Sequence, residues 1–249
     1  MSELPSSQVG EGIADDIRKQ FHLSHPVDLV SLATTLGVVS LERKTMAEDG
    51  RLSWVDGLPR IDINSDRPAT RQRFTLAHEI AHLVLESSSY ESVYRSHAQH
   101  DKTERMCDSI AAALLMPREW VRFECGQGDG SVSLRLIRRI AIGAETSMSA
   151  AASRVNQVTG KTCCLLRWGK STNAWTCLFR AGLPFELSSM QATLTLEASD
   201  ILDRLDISVT VWRRIVVVFG NDYYQAHAQI SRDTRGCLML LRELAPVNL

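Results

Sequence analysis

The chain has 249 residues and no long apolar run; its longest stretches, Ile110–Met116 and Ile215–Phe219, fall far below the roughly 18–20 residues of a membrane-spanning helix. No membrane partner is therefore expected. Net charge is also lacking: 28 Lys and Arg against 29 Asp and Glu leave −1, so no basic surplus points to a phosphate-backbone partner. The opening MSELPSSQVG has no basic cluster followed by an apolar core, so no secretory signal is expected and the expected compartment is the cytoplasm. Six cysteines are present, but no CxxC pair; Cys163 and Cys164 are adjacent and have no second close-set pair. They read as reduced thiols rather than a disulfide frame or a zinc knuckle. There is no internal repeat and no low-complexity tract.

What is present divides by texture. Ile13, Ile17 and Phe21 recur at helical spacing. Pro26–Gly37 has proline at its start and glycine just past its end, as a short helix should. Val38–Leu41, Leu52–Val55 and Arg60–Ile63 read as strands, the last two joined by an Asp56-Gly57 turn. Long helical patterns follow over Arg67–Glu86 and Asp101–Met116, the second stopped by Pro117. Gly126, Gly128 and Gly130 mark a linker, and Val132–Ile142 and Ser147–Val158 read as two short helices. From about Lys161 the pattern is mixed, with strands expected at Thr193–Leu196, Ile207–Trp212, Ile215–Phe219 and Cys237–Leu241 and a helix near Ala198–Leu205.

The chemistry concentrates in His78-Glu79-Ile80-Ala81-His82. Histidines at i and i+4 project from one helix face, where a single Zn²⁺ can accept both ring nitrogens at about 2.0–2.1 Å. Glu79 is offset around the helix, so its carboxylate can act as general base on a zinc-bound water without ligating the metal. A hydrolytic zinc site needs a third protein ligand and an open fourth position. Glu104 and Asp108, again at i and i+4, could supply that ligand and an acceptor for the outer N–H of a ligating histidine. Alone, they would read as a solvated acidic pair near a helix start; beside HExxH the ligand reading of Glu104 is preferred.

These residues carry a resemblance. Arg73-Phe-Thr-Leu-Ala-His-Glu-Ile-Ala-His82, with Glu104-x-x-Cys-Asp-x-Ile-Ala-Ala-Ala-Leu-Leu-Met-Pro117, resembles the ImmA/IrrE metallopeptidases, whose pattern is close to RFTLAHELGH followed by ExEANxFAAxLLMP. The Pro26–Gly37 helix and the Ile61-Asp-Ile-Asn64 strand are similar to that family too, so the likeness covers roughly residues 10–125. Three positions depart: Ala81 stands for glycine, Cys107-Asp108 for Ala-Asn, and Ile110 for phenylalanine. Asp108 restores the spacing of other gluzincins, and Cys107 reads as a small buried residue.

The resemblance implies a gluzincin-like site with one catalytic Zn²⁺ held by His78, His82 and Glu104, and Glu79 as catalytic base. It also implies a substrate class, helix-turn-helix (XRE-type) repressors cut to release stress or mobile-element genes. The expected fold is α+β. A zincin-like metallopeptidase domain (1–125) precedes a short helix-turn-helix-like unit (126–160) and a small mixed α+β C-terminal domain (161–249), sensor-like and GAF-like by likeness to longer family members. Tyr90, Tyr94, His97 and His100 lie between the two long helices; Tyr94 and His97 are the candidates for oxyanion or substrate contacts. Arg135, Arg138, Arg139 and Arg154 could meet phosphates, but arginines on helices are more often a solvated face, so docking is preferred to DNA binding for 132–158. Two other readings stay open: a non-proteolytic antirepressor, and a DNA-binding transcription regulator with a zinc site.

Overall fold

The computed structural model describes residues 6–86, 90, 100–127, 131–172, 174–183, 187 and 189–247. Among them are eight α-helices and nine β-strands, in two compact units: Met1–Trp120 with Ala141–Ser147, and Val121–Ile140 with Met148–Leu249. The fold class is α+β, as expected.

In the first unit α1 (Ser6–Gln20) and α2 (Leu29–Thr35) precede β1 (Ser40–Lys44), β2 (Gly50–Val55) and β3 (Leu58–Asn64). Asp28 caps α2, its carboxylate accepting from the backbone of Val30 and Ser31, and Gly37 leaves the helix at φ +93°. Strand order is β1–β3–β2, with β1 parallel and β2 antiparallel to β3. Asp56 and Gly57 turn the β2–β3 hairpin at φ 53° and 74°, the positive-φ pair a two-residue hairpin requires. Pro59, Ile61 and Ile63 are buried in alternation along β3, and α3 (Ala69–Glu86) packs over that face.

α3 packs in turn on α4 (His100–Leu115), and α4 on α1. Met106, Ile110, Ala111 and Leu114 make the buried stripe of α4. Arg73 fixes the start of α3: its guanidinium donates to the carbonyls of Val27 (2.7 Å) and Ala144 (3.3 Å) and pairs with Glu145. The arginine of the RFTLAHE run thus ties three separate stretches of chain together before the histidines begin.

The chain passes between the units within α5 (Arg118–Gly126), within α6 (Leu134–Gly143) and again after Ser147. The second unit adds α7 (Met148–Thr159) and a six-stranded antiparallel sheet in the order β5–β4–β9–β8–β7–β6. Its strands are β4 (Cys164–Lys170), β5 (Trp175–Ala181), β6 (Ala192–Leu194), β7 (Thr210–Phe219), β8 (Asp222–Asp233) and β9 (Gly236–Pro246). One face buries Trp168, Val217, Phe219, Met239 and Leu241 with Leu202 of α8 (Leu196–Asp203), a helix capped by Thr195. The other face meets α6 and α7; Leu134 N–H donates to Gln229 at 2.6 Å and Arg242 to the Val132 carbonyl.

Some expectations need correcting. Thr210–Trp212 of the run Ile207–Trp212 and the run Ile215–Phe219 are one strand, β7, because the polar pair Arg213-Arg214 lies toward its exposed end without breaking the β8 ladder. Ile207–Val209 precede the strand in a turn. β4, β5 and β8 were not anticipated; β8 buries only Ala226, Ala228 and Ile230, too little apolar character to mark a strand. Arg154, read as part of a solvated face, is 1% exposed and donates to Gln157. Gly128 and Gly130 lie outside the described residues. None of the six cysteines is in a disulfide.

Candidate metal centre

The HExxH spacing puts His78 and His82 one above the other on α3, with Nε2 atoms 3.2 Å apart. Glu104 comes to both from α4: its Oε2 lies 3.2 Å from His78 Nε2 and its Oε1 3.3 Å from His82 Nε2. Asp108 reaches only His78, so α3 and α4 run in opposite directions past each other. Tetrahedral ligands at about 2.0–2.1 Å from Zn²⁺ are about 3.3 Å from one another. The His78–His82 pair matches that edge, and so do the contacts of Glu104, one from each carboxylate oxygen; among the described residues His78, His82 and Glu104 are the group that could hold a metal ion.

The other ring nitrogen of His78 supports this arrangement. Nδ1–H donates to Asp108 Oδ1 at 2.9 Å, which places the proton on Nδ1 and turns the Nε2 lone pair toward Glu104 and His82. Burial alone would lower the His78 pKa. The Asp108 hydrogen bond, with the charges of Asp108, Glu79 and Glu104, outweighs burial and raises it above the ordinary 6.5. A concentration of negative charge that favours a proton on imidazole favours a divalent cation by the same sign.

Glu79 is outside the donor set and 8% exposed. Burial raises its pKa above the ordinary carboxylate value, while the His78 charge and the Leu52 backbone N–H work against that rise. Gly50, the first residue of β2, makes this approach possible. A Cβ there would lie 2.3 Å from the Thr75 methyl and 3.1 Å from Glu79 Oε1. Cys107, between Glu104 and Asp108 on α4, is fully buried and its thiol is pushed up by burial, which makes it a packing residue.

His78, Glu79, Glu104 and Asp108 line a pocket of 310 Å³ that also takes in Asp49, Gly50, Arg71, Phe74 and Thr75. Asp49 receives Arg67 Nε and Arg71 Nη2 at 2.6 Å each. Burial opposes ionisation of Asp49, and the two arginines overcome it and hold the carboxyl below its ordinary value. Sequence reasoning missed Asp49, Gly50 and Arg71. Arg71 carried a usable signal, since seven residues before His78 is two helical turns on the same face. Tyr94 and His97 lie outside the described residues, and Tyr90 lines a separate pocket beside Trp54 rather than this one.

Comparison with known proteins places this geometry. Residues 33–155 match the family described as the IrrE N-terminal-like domain, Peptidase_M78. The chain is 35% identical over 133 residues to the radiation response metalloprotease IrrE of Deinococcus radiodurans, covering 49% of this chain and 39% of that protein. It is 36% identical over 102 residues to the protein of the same name from Deinococcus deserti, covering 37% of this chain and 35% of that one. The match thus spans well under half the length of these curated relatives. A solved structure titled as a Mycobacterium tuberculosis transcriptional regulator shares the fold, with a TM-score of 0.55 over 94% of this chain and 74% of that one at 12% identity. Residues 33–155, which contain His78, Glu79, His82, Glu104 and Asp108, belong to the ImmA/IrrE family of IrrE N-terminal-like metallopeptidase domains.

Proposed function

We propose that the chain is a regulatory zinc metallo-endopeptidase that cuts a helix-turn-helix repressor at a specific site. The observation that carries the reading is the convergence of His78, His82 and Glu104 on tetrahedral spacing while Glu79 stays outside the set with a raised pKa. A site of purely structural purpose is usually closed by four protein ligands and has no need of a buried general base.

Zinc bound by His78 Nε2, His82 Nε2 and Glu104 would supply Lewis acidity, lowering the pKa of water and polarising a carbonyl. The residues of the chain do the remaining work. Asp108 holds the His78 tautomer. Glu79, buried beside the ligands, takes a proton at its carboxylate and returns it to the departing amine; the pKa raised by burial makes it a better proton acceptor than an ordinary carboxylate. Arg71 at the pocket wall, with Arg67, keeps Asp49 ionised.

The regulatory part of the reading rests on family likeness and on residues 161–249, which we read as a GAF-like sensor domain following the helical unit 126–160. DNA binding through 132–158 is disfavoured: Arg154 is buried and Arg139 is held by Glu124, so two of the four arginines are unavailable to phosphates.

The test is to incubate the full chain, with and without a chelator, with the helix-turn-helix repressor encoded beside its gene. A single chelator-sensitive cut is expected. Stable repressor binding without any cut would instead favour the antirepressor reading.

A further inference from the structure

Several cations of the second unit meet a carboxylate: Arg167 lies 2.6 Å from Asp233, Lys170 2.6 Å from Asp203, and Arg204 3.7 Å from Asp200. Three basic residues on β7, β8 and β9 do not. Arg214 stands opposite His227, and His227 opposite Arg242, so the antiparallel ladder sets them abreast on one face. Among the described residues no carboxylate forms an ion pair with any of the three. Arg213, beside Arg214, donates to the Trp212 carbonyl at 2.9 Å and has no carboxylate partner either.

The face that carries the row is the one that meets α6. Gln229, two residues on from His227, accepts the Leu134 N–H at 2.6 Å, and Arg242 Nη1 donates to the Val132 carbonyl at 3.1 Å. The first turn of α6, with its partial positive charge, thus lies beside the row and adds to its potential.

Trp212 fixes the arrangement. The Arg242 guanidinium lies over the indole, 4.2 Å from its centroid, and the His227 ring is centred 4.9 Å from it. Arg242 is therefore held by its flat face and by Nη1, while Nε is enclosed without an acceptor. Arg214 is exposed and the other two are half-buried, so the row opens to solvent at its Arg214 end. Cations gathered on neighbouring strands repel one another. Donors held in place with no counter-charge suit an anion, because little ordering is left for binding to impose.

The dimensions and the chemistry select the anion. Strands lie about 4.8 Å apart, so the two arginines are about 9.6 Å apart at the backbone, and side chains of this length can close on one tetrahedral group above the imidazole. Guanidinium presents paired N–H donors that match phosphate oxygens. A nucleic-acid face would need cations repeated along it, whereas Arg167, Lys170 and Arg204 are already neutralised.

We propose that Arg214, His227 and Arg242 form a binding site for one phosphate group, free or at the end of a small ligand. The site rests on the sensor reading only for its regulatory meaning; its test needs neither zinc nor turnover.

The full chain is titrated calorimetrically with sodium phosphate and with phenyl phosphate, and then with sodium acetate at matched ionic strength. One phosphate group per chain should bind saturably, and acetate should not displace it. Arg214→Gln, at an exposed position, should weaken binding about tenfold or more through loss of a charge-assisted bond, and His227→Gln severalfold. Arg204→Gln, whose arginine already faces Asp200, should leave binding unchanged. Tighter binding of phenyl phosphate than of inorganic phosphate supports the end of a larger ligand, and equal affinity supports free phosphate.

Thermal unfolding separates a binding role from a structural one. In phosphate-free buffer Arg214→Gln should melt no lower than the wild type, because it removes a like charge from the row, and phosphate should raise Tm only in the wild type. No saturable binding, displacement by acetate, or binding that survives Arg214→Gln and His227→Gln alike overturns the proposal. So does an oligonucleotide that binds far more tightly than phosphate with a salt dependence of several contacts. A chain that cuts no repressor can still pass this test, so the peptidase reading and this one fail separately.

Discussion

The two units differ in how their sequences encode them. In the first, function and fold share residues: Ile80 and Ala81 are core while their neighbours Glu79 and His82 face the donor site. The helical period that buries α3 also aligns its ligands, so one pattern announces both. In the second unit the sheet carries no chemical motif: β9 buries Cys237–Leu241 consecutively, while β8 alternates through the small residues Ala226 and Ala228. The lesson is that a catalytic constellation on a helix is legible from spacing alone, whereas a sheet of small inward residues becomes visible only when its partners are known.

The largest expected effect that would break this contrast is on metal binding. His82→Ala should abolish stoichiometric zinc and activity, read by elemental analysis, while circular dichroism keeps the helical signal of the wild type. In the second unit, Phe219→Ala removes a fully buried ring and should cost about 3–5 kcal/mol in denaturant unfolding. The folded fraction should still carry its zinc; loss of zinc there would tie the site to the second core.

A smaller effect is expected at Asp108. Asp108→Ala leaves all three donors and removes only the acceptor on His78 Nδ1, so zinc affinity in a competition titration should fall about 10- to 100-fold. The smallest effect concerns pH. His78 is raised above 6.5, so its contribution to the stability of the metal-free protein is present below that value and lost as pH rises through the raised one. Glu79, raised above 4.5, has the same sign over its own window. Metal-free protein should therefore melt higher near about pH 6 than near about pH 8 relative to His78→Gln, while the gain from added zinc grows toward about pH 8 because metal and proton compete for Nε2.

Legibility had physical limits in both units. The hairpin at Asp56-Gly57, the α2 helix and both motif helices follow from local rules, and the described elements agree within a few residues. The meeting of Glu104 with two histidines also followed, because two i,i+4 pairs on amphipathic helices admit few other mutual arrangements. Gly50 did not, since nothing local distinguishes a glycine that clears Thr75 and Glu79 from one in a turn. Arg154 misled for a related reason: a charged residue on a helix reads as solvated unless its buried partners are known. In β7, the Arg213-Arg214 pair disguised a continuous strand because a polar pair at a sheet's exposed end resembles a loop.

The central claim is that Glu79 acts on substrate beside a metal it does not hold. The direct measurement is Glu79→Gln, assayed for zinc content and repressor cleavage in the same preparation. The account predicts one zinc per chain, as in the wild type, with cleavage reduced by about 10²- to 10⁴-fold. Cleavage at the wild-type rate by a zinc-loaded Glu79→Gln protein would contradict it.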